Sequence, residues 1–155
     1  MMRLRNSVKG VIIQDGKILF NKMYSKFDGE EFFILPGGGQ EPGETFDKTL
    51  QRECIEELGA EVEVSELILV REYIGKNHEF ARTDSDIHQI EYMFRCDLVT
   101  KVNVDKAVEF DKKQVGHQWI ELRDLSQWNV YPKILKKVFD EEGNVLSDIY
   151  LGDTN

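Results

Sequence analysis

The stretch "LPGGGQEPGETFDKTLQRECIEELGA", Leu35 to Ala60, narrows the choice of fold more than any other part of this chain. Its apolar residues Phe46, Leu50, Cys54 and Leu58 recur every four positions, the buried stripe of a helix and not the alternation of a strand. The helix is predicted from Thr45, a residue type suited to its N-cap, to Leu58, with Gly59 placed to end it in the left-handed conformation. Ahead of it Gly37, Gly38, Gly39 and Gly43 read as a loop that can adopt positive φ and bring backbone close to a ligand. Glycines at one end and the crowded acids Glu53, Glu56 and Glu57 at the other both weaken the segment, which calls for a reason.

Turning about 100° per residue, Glu57 falls about 40° from Glu53, inside the stripe between Phe46 at about 20° and Leu50 at about 60°. Glu56 lies about 60° to the other side, so three carboxylates crowd the flank of the buried face. Glu53 and Glu57 are a like-charge i,i+4 pair, costing on the order of 0.2–0.5 kcal/mol when exposed and more where water is partly excluded. They stand toward the C-terminal end of the helix, where the macrodipole disfavours negative charge. Burying them unpaired would raise their pKa values unless a cation sits among them.

Acids on an amphipathic helix are ordinarily solvated surface, but acids and glycine loop together favour a metal site. Carboxylate oxygens without nearby Cys or His suit a hard ion, Mg²⁺ or Mn²⁺. Such an ion takes one or two protein carboxylates plus substrate phosphate oxygens, a combination made for phosphate-ester or anhydride chemistry. The loop lacks the Gly-Lys-Ser/Thr ending of a nucleotide P-loop.

Around this segment, "SVKGVIIQDGKILFNKMY" reads as two β-rich runs joined in a hairpin at Asp15-Gly16. "EFFIL" is a short buried strand ended by Pro36. A β-rich run from about Glu61 to Ile74, a polar loop "GKNHEFARTDSD", and the strand "IHQIEYMFRCDLV" follow the helix. "GHQWIEL" contributes another short strand, and a helix is expected from about Pro132 to Phe139. This order of strands, helix, strands and helix points to an α/β fold with a mixed sheet covered by helices.

At 155 residues the chain suits one domain, 1–155, ending in an acidic tail, Asp140 to Asn155, read as solvated surface. With 29 acidic against 20 basic residues and a net charge of -9, binding nucleic acid by simple phosphate neutralisation is excluded. A polyanionic substrate would need a cation as intermediary. The start lacks the apolar segment of a signal peptide, and no run approaches a membrane span. Cys54 and Cys96, without CxxC spacing, suit buried thiols in a reducing compartment, so the protein is expected in the cytoplasm.

These residues resemble the Nudix box of Nudix hydrolases. Gly38, five residues, Glu44, seven residues and then Arg52-Glu53-Cys54-Ile55-Glu56-Glu57-Leu58-Gly59-Ala60 fill every fixed position. The resemblance implies a Nudix-type α/β/α sandwich with a mixed β-sheet, and a metal-dependent pyrophosphohydrolase that cleaves a nucleoside diphosphate linked to another moiety. It implies Glu53, Glu56 and Glu57 as ligands to Mg²⁺ or Mn²⁺, one of them orienting or deprotonating water, with a backbone carbonyl near Gly38 or Gly39 as a further ligand. Glu44 and Arg52 would pair to brace the loop against the helix.

An ADP-ribose or nucleotide-sugar substrate is read slightly ahead of a damaged or non-canonical nucleoside triphosphate. A non-catalytic nucleotide sensor of the same fold is the reading from another class; such modules commonly lose box acids, and all are present here. The partner is a small nucleotide, with no membrane and no stable nucleic acid, and a homodimer is a further possibility by family habit. Outside the box, Glu79, Asp84, Asp86, Glu91, Glu109 and Asp111 are candidates for an extra acid, Glu91 foremost because it interrupts "HQIEYMF". His78 and His88 are read as polar loop or strand residues, with contact to substrate as the alternative reading. Tyr24, Phe27, Phe32 and Tyr131 are candidates to stack on a base, although aromatic residues at such spacings more often belong to a core or turn.

Overall fold

A computed structural model describes residues 1–107 and 114–155, so Glu109 and Asp111 lie outside the described residues. Its strands are β1 (Arg3–Gln14), β2 (Lys17–Tyr24), β3 (Glu31–Ile34), β4 (Gly37–Gly39), β5 (Val62–Ile74), β6 (Ile87–Leu98), β7 (Gln114–Glu121) and β8 (Tyr150–Asp153). The helices are α1 (Phe46–Leu58), α2 (Ala81–Asp84) and α3 (Leu135–Val138).

Asp15 at φ 51° and Gly16 at φ 74° supply the two left-handed residues of the β1–β2 turn, as the Asp-Gly dipeptide predicts. The two strands part after Ile13↔Ile18 and Gln14↔Lys17. β2 continues between antiparallel β3 and β7. β1 continues between antiparallel β4 and parallel β6. β5 then pairs antiparallel with β6 and parallel with β8, giving the order β3-β2-β1-β6-β5-β8 with β4 and β7 added at β1 and β2. The sheet is mixed, as expected.

Strand alternation divides the core between the two sides of this sheet. Val8 and Ile12 of β1, Leu19 of β2 and Cys96 of β6 pack with Leu50, Cys54 and Leu58 of α1. Val11, Ile18, Phe20 and Met93 point the other way, against Leu122 and Leu125 of a 3-10 turn and Leu135 and Val138 of α3. Both cysteines are buried free thiols. The layers are those of an α/β/α sandwich, and no described helix is long and apolar enough to cross a membrane.

Four expectations need correction. Gly37–Gly39 is not a loop: Ser7↔Gly39, Val8↔Gly38 and Lys9↔Gly37 make it a strand on β1, because backbone pairing needs no side chains. The polar segment after β5 winds into a 3-10 turn, Gly75–Asn77, and α2. The last helix is shorter than Pro132–Phe139, since Leu135, Lys136 and Lys137 N–H groups bond three residues back and Phe139 is extended, bridging to Val145. The acidic tail is not simply solvated: β8 closes an edge of the sheet, and Asp153 accepts hydrogen bonds from Ile74 N–H and Asn77 and pairs with His78.

Candidate active site

α1 runs from an extended Thr45 to Gly59, whose φ of 60° ends it as predicted. Thr45 holds the N-cap position but makes no side-chain cap bond, its hydroxyl donating to Asp47 instead. One helix flank carries Arg52, Glu53, Glu56 and Glu57 toward β4.

Arg52 is the hub. Its Nε and Nη2 donate to the two oxygens of Glu44 at 2.7 and 2.9 Å, and Nη2 also reaches the Gly39 carbonyl at 3.1 Å. Nη1 donates to Glu53 at 3.0 Å and to Glu56 at 3.5 Å. Glu44 further accepts from Glu41 N–H and Thr49. With the hydrogen bonds from Arg52 first among the causes, the Glu44 carboxyl is held down to about 2.

Glu57 is treated differently. Largely buried, it accepts from Asn21 Nδ2 at 2.6 Å and from Gly37 N–H at 2.9 Å, both neutral donors. Burial pushes its pKa up to about 7; Lys9, Gly37 and Asn21 pull against this, and the charge of Glu53 adds to it. Burial likewise raises Glu53, against the pull of Arg52. The close seat of Glu53 depends on glycine: a Cβ at Gly38 would lie 2.6 Å from its Oε1. Gly37, at φ 134°, would drive a Cβ to 2.0 Å from the Val8 carbonyl.

The donor set fits a hard cation. Glu53, Glu56 and Glu57 offer carboxylate oxygens on one flank, Glu53 against the Gly38 backbone, and Arg52 is the cation that bonds Glu53 and Glu56 there. Among the described residues, however, no three such side chains converge into a ligating cluster. Arg52 draws Glu53 and Glu56 together, while Asn21 and Gly37 turn Glu57 inward. Among the described residues the buried Oδ1 of Asn21 and Oε1 of Gln114 have no partner, although both amides donate to Glu57, Asn21 to its carboxylate and Gln114 to its carbonyl.

A cleft lies on the sheet face opposite α1. Its narrower part, about 250 Å³, is bounded by Lys9, Leu35, Arg71, Gln89 and Glu91. Its wider part, about 360 Å³, has Phe27, Phe32, Phe80, Asp28 and Glu30 in its wall. Tyr73, Asp84 and Tyr131 belong to both parts. The ring of Tyr131 meets the edges of Phe80 and Phe32 at 5.3 and 6.1 Å between centroids. Of the four aromatic candidates, Tyr24 is the one that does not line the cleft.

Among the candidate acids outside the box, Glu91 is buried and both its oxygens are taken by Arg71, at 3.0 and 3.3 Å, with Gln89 adding a third bond. Asp84 accepts from Tyr73 in the cleft. Glu79 pairs with Lys133, and the Asp86 carbonyl accepts from Arg3 N–H. His78 and His88 are bound to Asp153 and Glu72 and do not line the cleft. Lys9, Asn21, Arg71 and Gln114 escaped the sequence reading. For the first three the signal was a polar residue inside an apolar strand, the same signal that drew attention to Glu91.

The NUDIX domain family matches residues 3–140. A nucleoside triphosphatase NudI from Enterobacter sp. (strain 638) is 31% identical over 133 residues, covering 81% of this chain and 87% of that protein. One from Escherichia coli O1:K1 / APEC is 29% identical, with 83% and 90% covered. A NUDIX hydrolase structure from Nitrosomonas europaea has a TM-score of 0.72 at 17% identity, covering 93% of this chain and 94% of that one. An ADP-ribose pyrophosphatase from Streptococcus suis 89-1591 has a TM-score of 0.60 at 18% identity, covering 96% and 98%. These two structures share the fold. The chain belongs to the Nudix family and is a hydrolase of phosphoric anhydride bonds. Nudix hydrolases generally need divalent metal ions.

Proposed function

We propose that the protein is a Mg²⁺- or Mn²⁺-dependent pyrophosphohydrolase of a nucleoside triphosphate, acting as one Nudix domain over residues 1–155. The carrying observation is the flank of α1, where Glu53 lies against Gly38, Glu56 shares Arg52 with it and Glu57 meets Gly37, their charge only partly compensated. Glu53, Glu56, Glu57 and the Gly38 carbonyl would hold the ion, which when bound neutralises phosphate charge and lowers the pKa of water.

The chain's own residues do the rest. Arg52, anchored by Glu44 and Gly39, sets the spacing of Glu53 and Glu56. Asn21 and Gly37 N–H orient Glu57. One of the three helix carboxylates takes the proton from the water that attacks phosphorus in line, and a nucleoside monophosphate and a second phosphorylated product leave.

A triphosphate is preferred over ADP-ribose or a nucleotide sugar because the relatives that match most of this chain at 29–31% identity are called nucleoside triphosphatases. Turnover of a panel of normal and oxidised nucleoside triphosphates, ADP-ribose and nucleotide sugars with each metal, with products read by mass, tests this. Monophosphate released from a triphosphate is expected; turnover of ADP-ribose with triphosphates untouched would overturn the substrate assignment.

A further inference from the structure

Of the strand and helix cations described near the site, Arg52 and Arg71 are fully committed. Arg52 serves Glu44, Glu53, Glu56 and Gly39, while Arg71 serves Glu91, Thr154 and Asn155. Lys9 is not. Among the described residues its ammonium makes one side-chain hydrogen bond, 3.4 Å to the Leu35 carbonyl, and no ion pair. An ammonium carries three donors, so donors remain to spare in a partly buried position.

The place of Lys9 matters as much as its freedom. It pairs in β1 with Gly37, whose N–H holds Glu57, and its side chain lines the narrow part of the cleft. Its charge is felt by Glu53 and Glu57 on one side and by Glu91 on the other. The far end of the cleft could not hold a phosphate comfortably, because Asp28 and Glu30 line it beside the aromatic rings. An uncharged, flat group suits that end.

Resting on the reading of the protein as a nucleotide hydrolase, we propose that Lys9 binds a non-bridging phosphate oxygen of the nucleotide. It thereby sets the direction in which substrate lies, base toward Phe32, Phe80 and Tyr131 and phosphate chain toward the narrow end at Lys9. Lys9 is then a substrate-binding residue that the family's box does not contain.

Calorimetry on the full chain in a chelating buffer separates the two halves of the ligand, using the ribonucleoside 5′-monophosphates and the matching nucleosides as probes. In the wild type the phosphate is expected to tighten binding about tenfold, the scale of a charge-assisted hydrogen bond. Lys9→Met and Lys9→Gln should lose that gain while binding nucleosides as before, and Lys9→Arg should keep part of it. A structural role would instead weaken nucleoside and monophosphate alike. The proposal is overturned if the gain survives in Lys9→Met, if the wild type shows none, or if neither neutral variant folds. Failure of the wild type to turn over any nucleotide of the panel would sink the nucleotide-hydrolase reading instead, and the binding ratios would still report on Lys9.

Discussion

Glu57 and Glu91 are both withdrawn from water, one near the end of α1 and the other within β6, and they titrate in opposite directions. Burial pushes each upward. For Glu91 the charge of Arg71, then that of Lys9, then hydrogen bonds from Arg71 and Gln89, more than offset it. Glu57 feels the charge of Lys9 too, but only neutral donors are in contact and Glu53 adds a like charge, and it stays near 7. A carboxylate whose charge is cancelled inside the fold is part of the structure. One left uncancelled in the same interior is, on the proposed function, a place kept for a charge that arrives with the ligand.

The comparison can be broken at four points. Glu57→Gln should lower metal-dependent turnover roughly 10²- to 10⁴-fold, the scale of losing a positioned acid, base or ligand. Its melting temperature should hold or rise, because repulsion by Glu53 is relieved; turnover unchanged in that variant would remove Glu57 from the chemistry. Arg71→Met should do the reverse, destabilising the fold by about 3–5 kcal/mol in urea unfolding, since it leaves a buried carboxylate without its cation. A loss under about 1 kcal/mol would show that Glu91 does not depend on Arg71.

Arg52→Ala should lower both melting temperature and turnover, because the same guanidinium braces Glu44 and spaces Glu53 from Glu56. An unaltered melting temperature would refute the bracing role. The smallest effect lies in acid. Glu91 has a folded pKa below its unfolded value, as do Glu44 and Asp153, each lowered to about 2. Each contributes stability that is present above the unfolded value near 4 and lost as pH falls through the folded one. In the wild type Glu57, raised to about 7, already makes stability rise as pH is lowered from 7 toward 5. In Arg71→Met, Glu91 becomes a second uncancelled acid, so the rise should be steeper, and urea midpoints that climb no more steeply than in the wild type over that range would contradict it.

The α1 flank was legible because helical geometry is local. A turn of about 100° per residue relates Glu53, Glu56 and Glu57 without knowledge of the rest of the chain, and Gly59 announces the end of the helix. The Asp15-Gly16 hairpin was legible for the same reason. The Gly37–Gly39 strand was not, since glycine has no side chain to show a period of two, and its pairing with β1 is a contact across the fold. Glu91 stood out as an acid in an apolar strand, but its meaning lay in Arg71, twenty positions away and opposite it in register.

By itself, then, the sequence determined the acid-bearing helix, its glycine lead and its family, because those depend on neighbours along the chain. Only the tertiary structure decided which charges are cancelled. Arg71 meets Glu91 through strand register, Asn21 and Gly37 hold Glu57 without charge, and Lys9 stands between helix and cleft with donors unspent. Coulombic energy depends on distance and on the exclusion of water, and strand pairing sets both between residues that the chain itself keeps far apart.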